Sequence, residues 1–212
     1  MARGESSGVQ DISTFQPLRE RATWTKGLLW TSAATSALGV ISDLMQRQNP
    51  ETDSSFYASI GVVQFLLVVI TAFVFIRWMY RAYTNLPSLG STQRFRPFWA
   101  VVAWFVPILN LFRPKQIVDE TWKAGNKLSL GVPTAFNFWW GAFIASNVLS
   151  NIAARMSWSA ETSADVRTAA TVYLVTDVVD VVCALLALHV VESVTASQER
   201  AAGEGAPIPA AI

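Results

Sequence analysis

Apolar and polar positions fall in long blocks along this chain rather than on alternating faces. After a polar opening, residues 1–23, four apolar blocks follow at 27–45, 56–76, 136–154 and 172–191. Each is near the roughly 20 residues a helix needs to cross a bilayer. The pattern predicts an all-α membrane protein with four transmembrane helices in one membrane domain, 24–194. A soluble helical core would need polar faces inside these blocks, and they have none. The opening is too long and too mixed for the start of a cleaved signal peptide and reads as a cytosolic tail. The closing stretch, 195–212, is rich in Ala, Gly and Pro after Glu199 and is expected to be disordered.

A fifth apolar stretch, 97–112, breaks the pattern. As a helix it would reach only about 24 Å, short of the roughly 30 Å hydrocarbon core. Pro107 lacks an amide hydrogen and clashes with the preceding turn. Pro114 disfavours a helical Arg113. Backbone groups freed in this way need partners inside protein or at a wet interface. Asn110 is the expected partner for those that Pro107 frees. A Pro-broken re-entrant or interfacial segment, 97–127, is the expectation, with a kinked span as the competing one. Its second half, "PKQIVDETWKAGNK", is an amphipathic helix. Lys115, Gln116, Asp119, Glu120, Lys123 and Lys127 share one side, and Ile117, Val118, Thr121 and Trp122 the other.

Composition supports the membrane reading. Hydrophobic residues make up 52% of the 212 and charged residues only 15%, against roughly 25% charged in soluble domains. Nine tryptophans suit membrane interfaces. Positive charge then orients the chain. Arg3, Arg19, Arg21 and Lys26 precede the first block, Arg77, Arg81, Arg94 and Arg96 follow the second, and Arg113, Lys115, Lys123 and Lys127 follow the broken stretch. Only Arg47, Arg155 and Arg167 lie in the two opposite loops. If 97–112 does not cross, nearly all basic residues share one side, as the positive-inside rule asks. Both termini are then cytoplasmic.

The broken region carries a recognisable motif. Arg81, Ala82 and Asn85 form its first part. Trp104, Phe105, Pro107, Asn110 and Pro114 form the second, with Trp122 eight residues on. These residues and the placing of the blocks resemble the domain of unknown function 4328 family over roughly 18–192. The resemblance implies a bacterial multi-pass protein of the cell inner membrane. It implies no reaction.

Two groups of residues are candidates for chemistry. Ionisable groups inside a membrane are costly and are functional hypotheses by default. Asp43, Gln64, Asn147, Asn151, Asp177 and Asp180 fall at similar depth toward the outer side. They are a candidate cation or proton site, or hydrogen-bonded glue between helices. At the cytoplasmic face, Glu192 is expected to pair with Arg77 or Arg81, beside His189, Asn85, Trp104, Pro107, Asn110, Arg113, Pro114 and Trp122. That set is a candidate anionic-headgroup site or a helix staple. Ser32, Ser36, Gly39 and Asp43 form a small-residue stripe suited to close helix packing within the chain, or to a homo-oligomer.

Enzyme signatures are missing. No phosphate loop, nucleophile elbow or metal-ligand spacing occurs, and the lone Cys183 rules out an intrachain disulfide. No catalytic role, cofactor or nucleic-acid partner is expected. The expected role is structural or regulatory, presenting the cytoplasmic element to membrane lipids or a protein partner. The alternative is a small transporter or channel using the Asp/Asn cluster.

Overall fold

A computed structural model describes residues 14–51, 54–127 and 131–204. Among them every regular element is helical: α1 Arg19–Gln48, α2 Ser54–Thr84, α3 Trp99–Val102, α4 Arg113–Gly125, α5 Thr134–Trp158 and α6 Ser163–Glu204. Three helices, α1, α2 and α6, are long and apolar enough to cross a membrane by length and composition. α5 has the length but is not one of the three; Ser146, Asn147, Ser150 and Asn151 interrupt its apolar run.

Local signals account for the breaks. α2 ends at Thr84, because Pro87 has no amide hydrogen to continue the helical ladder onto the Tyr83 carbonyl. Gly90 closes the following turn at φ 68°, a left-handed conformation open to glycine. α4 opens with Pro114 in its first turn, where the missing amide hydrogen costs nothing. It ends at Gly125, with Asn126 Nδ2 donating to the Trp122 carbonyl at 3.1 Å. α6 starts with a reciprocal cap: Thr162 N donates to the Asp165 carboxylate at 3.0 Å, and Asp165 N to Thr162 Oγ1 at 3.2 Å.

The four long helices run up and down. α1 and α6 pack along their length, as do α5 and α6 and, less closely, α1 and α2. We call "near" the end where α1 begins and α2 and α6 finish. The core thickens there, around Leu18, Trp78, Met79, Tyr83, Leu86, Ile117, Val118, Phe136, Val190 and Val194. Elsewhere apolar side chains face outward. On α2, Val62, Val63, Phe65, Leu66, Val68, Val69, Ile70 and Phe73 are all exposed, and α1, α5 and α6 show the same habit. Soluble monomers rarely expose contiguous apolar patches above a few hundred Å².

Both tails are shorter than the sequence suggests. α1 begins at Arg19, and Leu18 is fully buried, so the opening tail does not reach residue 23. α6 continues to Glu204, with Thr195, Ser197 and Gln198 buried, so 195–204 is packed helix and not disordered. Alanine and charged residues there extend a helix whose buried face is polar, which hides it from an apolar-period search. Residues 1–13 and 205–212 lie outside the described residues.

Candidate functional site

The broken segment returns to where it started. It leaves the near end at Phe95, whose amide donates to the Tyr83 hydroxyl at 2.9 Å. Trp104 then reaches deeper. Its ring meets Phe75 at 5.8 Å, Phe143 at 5.6 Å and Trp140 at 6.1 Å between centroids. Phe75 lies two turns before Tyr83 on α2, so the excursion is about 12 Å deep. Trp140 Nε1 donates to the Leu111 carbonyl at 3.0 Å. The chain comes back at Arg113, whose guanidinium sits 4.0 Å from the centre of the same Phe95 ring. Entry and exit therefore share one level. Ala100 and Ala103 of the excursion are buried and Trp99 and Trp104 pack against the core, while Phe98, Phe105, Ile108 and Leu111 face outward at 61, 72, 74 and 56% exposure.

Hydrogen bonds fix the mouth of this excursion. Tyr83 is fully buried. Its oxygen accepts from Phe95 N and lies 3.1 Å from the Phe95 carbonyl and 3.2 Å from Glu120 Oε2, its two acceptor choices. Glu120 Oε1 also accepts from Arg94 N at 2.6 Å. Gln93 Nε2 donates to the Tyr83 carbonyl at 2.7 Å. Gln198, from the far reach of α6, donates to the Ala82 carbonyl at 3.0 Å and the Thr121 carbonyl at 3.3 Å. Ala82 is in the last turn of α2, where carbonyls lack helical partners. One buried amide thus ties α2, α4 and α6 together. Gly125 lets α4 approach closely: a Cβ there would lie 2.6 Å from Ser197 Oγ and 2.8 Å from Gln198 N.

The chain before α1 is strapped across the same end. Asn85 Nδ2 donates to the Gln16 carbonyl at 2.9 Å, and Asn85 Oδ1 accepts from Gln16 N at 3.2 Å. Glu199 Oε1 accepts from Leu18 N at 2.7 Å. Asn85 is 1% exposed, so its place in the motif has a structural reason: it satisfies both groups of one backbone residue.

α4 is amphipathic as expected, but it turns its apolar face into the protein. Pro114, Ile117, Val118, Thr121, Trp122 and Ala124 are buried, and Trp122 meets the Phe136 ring edge-on at 6.1 Å. Part of its polar face is spent internally, Lys115 on Asp119 at 2.6 Å and Glu120 on Tyr83 and Arg94. Lys123 and Lys127 remain exposed.

Several expected pairings are replaced. Glu192 pairs with Lys26 at 3.0 Å, not with Arg77 or Arg81. α1 lies beside α6 and supplies the nearer cation. Arg77 is exposed over the Phe73 ring at 5.9 Å. His189 is exposed, its ring 3.4 Å from Ser193 Oγ. Pro107 is exposed and helps turn the segment. No side-chain hydrogen bond joins Asn110 to the carbonyl that Pro107 frees among the described residues, and its Oδ1, an acceptor, is buried without a partner there. Its backbone amide instead closes the turn after Pro107, donating to the Val106 carbonyl at 2.8 Å.

The second candidate group comes together in part. Gln64 Nε2 donates to the Thr35 carbonyl at 3.2 Å and approaches Asp177 Oδ1 at 3.3 Å. Asp43 stands close to Asp177, with its Oδ2 buried and without a hydrogen-bond partner among the described residues. Asp177 is 9% exposed. Gly39 makes room, since a Cβ there would overlap both the Asp177 carboxyl and the Gln64 amide. Asp180 instead hydrogen-bonds Ser146 of α5. Asn147 and Asn151 stay outside the cluster. They are exposed and donate to carbonyls of their own helix, Phe143 at 2.7 Å and Asn147 at 2.8 Å. Their spacing put them on one face of α5, but that face looks outward. The small-residue stripe packs within the chain, with Ser32 and Thr71 hydroxyls 3.0 Å apart. Among the described residues no group of His, Cys, Asp and Glu could hold a metal ion.

The family model for the domain of unknown function DUF4328 matches residues 42–196. The chain belongs to this family. The match takes in Asn85, the whole excursion, α4 and Asp177 and Asp180 of α6. No curated protein and no solved structure matches the chain. Membership therefore brings membrane-compatible helices and no assigned chemistry. The residues that sequence reasoning passed over are Tyr83, Gln198, Ser146 and the strap at Gln16 and Leu18. Tyr83 alone had a signal, lying inside the motif between Arg81 and Asn85.

Proposed function

We propose that this member of the DUF4328 family is a multi-pass protein of a bacterial inner membrane with a structural or regulatory role. In this reading α1, α2, α5 and α6 cross the bilayer, both termini are cytoplasmic, and 97–112 dips into the cytoplasmic leaflet without crossing it. The observation that carries it is the excursion from Phe95 to Arg113, with Phe98, Phe105, Ile108 and Leu111 facing outward. Apolar side chains at that exposure suit acyl chains and not water. A depth of about 12 Å fits one leaflet of a roughly 30 Å core. α4 would then lie at the headgroup level with Lys123 and Lys127 outward. The element presented to the membrane is the rigid pair of excursion and α4.

The test is accessibility. A nitroxide on Phe105→Cys or Ile108→Cys, in a Cys183→Ser background reconstituted in vesicles, should collide with oxygen and be shielded from a water-soluble relaxant. Water-exposed labels would overturn the interfacial reading. A second reading, ion or proton translocation, is favoured by the meeting of Asp43, Gln64 and Asp177 from three helices. It expects cation-dependent flux in vesicles that Asp177→Asn abolishes; equal flux in both proteins would sink it.

A further inference from the structure

We propose that Arg21, Arg77 and Arg81 form a binding site for the phosphate of an anionic phospholipid, on the outer side of α1 and α2 at the near end. The inference rests on the membrane reading above and names one ligand class for it.

No ion pair neutralises any of these three residues. Among the described residues the ion pairs are Arg19 with Glu199, Lys26 with Glu192 and Lys115 with Asp119. None includes Arg21, Arg77 or Arg81. The antiparallel register of α1 and α2 puts Arg21, in the first turn of one, level with Arg81, in the last turn of the other, and the two guanidiniums act on each other. Arg81 Nε is buried with no partner. Arg77 lies one turn from Arg81 on the same face and is exposed. Like charges held together at an apolar surface repel unless an anion lies between them. A phosphate meets the need, because its oxygens accept paired N–H donors from guanidinium forks.

The surroundings identify the source as lipid. Trp24 is 68% exposed, Phe73 62% and Tyr80 40%. Trp24 and Tyr80 set apolar rings with polar tips beside the arginines, and Phe73 continues the apolar surface about two turns deeper, the character of a membrane interface. The outward apolar wall of α2 runs on from Phe73 to Val62, a track for acyl chains beneath a headgroup. A soluble anion would need the arginines but not this wall.

The experiment uses the full chain in a neutral detergent. Native mass spectrometry follows retention of phosphatidylglycerol, with phosphatidylcholine as the zwitterionic comparison and inorganic phosphate as competitor. The wild type should retain phosphatidylglycerol over phosphatidylcholine. Arg21→Gln/Arg81→Gln should weaken that retention about tenfold or more, since each juxtamembrane charge contributes roughly fivefold and the two compound. Arg77→Gln, at an exposed position that leaves packing intact, should weaken it in the same direction. Inorganic phosphate that fails to displace the lipid supports the lipid source. Displacement at millimolar phosphate, with weak lipid retention, overturns that source. Equal retention by the arginine variants, or no headgroup preference in the wild type, overturns the site. Loss only in Lys123→Glu/Lys127→Glu would also overturn it while leaving the interfacial reading of α4 standing. Water exposure of a label at 105 would instead remove the reading on which the site rests.

Discussion

Tyr83→Phe isolates the hydroxyl that holds the mouth of the excursion. The ring stays, so packing is preserved and only polar contacts are lost. The Tyr83 oxygen accepts from Phe95 N at 2.9 Å and donates to Glu120 at 3.2 Å or the Phe95 carbonyl at 3.1 Å. A hydrogen bond contributes about 1 kcal/mol net, and a buried amide left without an acceptor costs about 1–3 kcal/mol. Phe95 N is only part-buried, so water recovers some of the second amount. The sum is about 2 kcal/mol, or a fall of about 4–8 °C in midpoint for a chain of this size. Tyr80→Phe is the matched control, because Tyr80 is 40% exposed and its loss should stay within about 0.5 kcal/mol. Thermal and sodium dodecyl sulfate unfolding of the purified proteins, side by side, give the comparison. Equal midpoints for the two variants would refute the claim that Tyr83 anchors the segment.

Two further substitutions probe the near end, and a third serves as a control. Gly125→Ala drives a Cβ against the Ser197 and Gln198 backbone and should cost about 1–3 kcal/mol as overpacking. Gly141→Ala meets nothing within 4 Å and should be neutral or stabilising by up to about 1 kcal/mol; unfolding midpoints check both. Asn85→Ala should release the strap at Gln16, so limited proteolysis will cut ahead of α1 faster than in the wild type, with α2 to α6 still intact.

The long helices were legible because apolar block length is a strong and local signal, and the break at 97–112 because proline acts on its own backbone. The side-chain partners were not. Asn147 and Asn151 have the spacing of a shared face, yet spacing alone does not say whether that face looks in or out. Glu192 had cations available on α1 and α2, and only the packing of α1 along α6 decides for Lys26. Gln198 lies in a stretch that composition marks as a tail, and its role depends on the Ala82 and Thr121 carbonyls far away in sequence. Asn110 sits in the turn as expected, but its backbone amide closes on Val106 and its buried Oδ1 finds no partner among the described residues, so its side chain does not have the role its place suggests.

The central claim is that 97–112 enters and leaves on one side of the membrane. Dual-reporter fusions, one active only in the cytoplasm and one only outside it, can be placed after Asn49, Lys127 and Glu204 to test this directly. The account predicts an external signal at Asn49 and cytoplasmic signals at Lys127 and Glu204. An external signal at Lys127 would mean that the broken segment crosses, and would contradict the account.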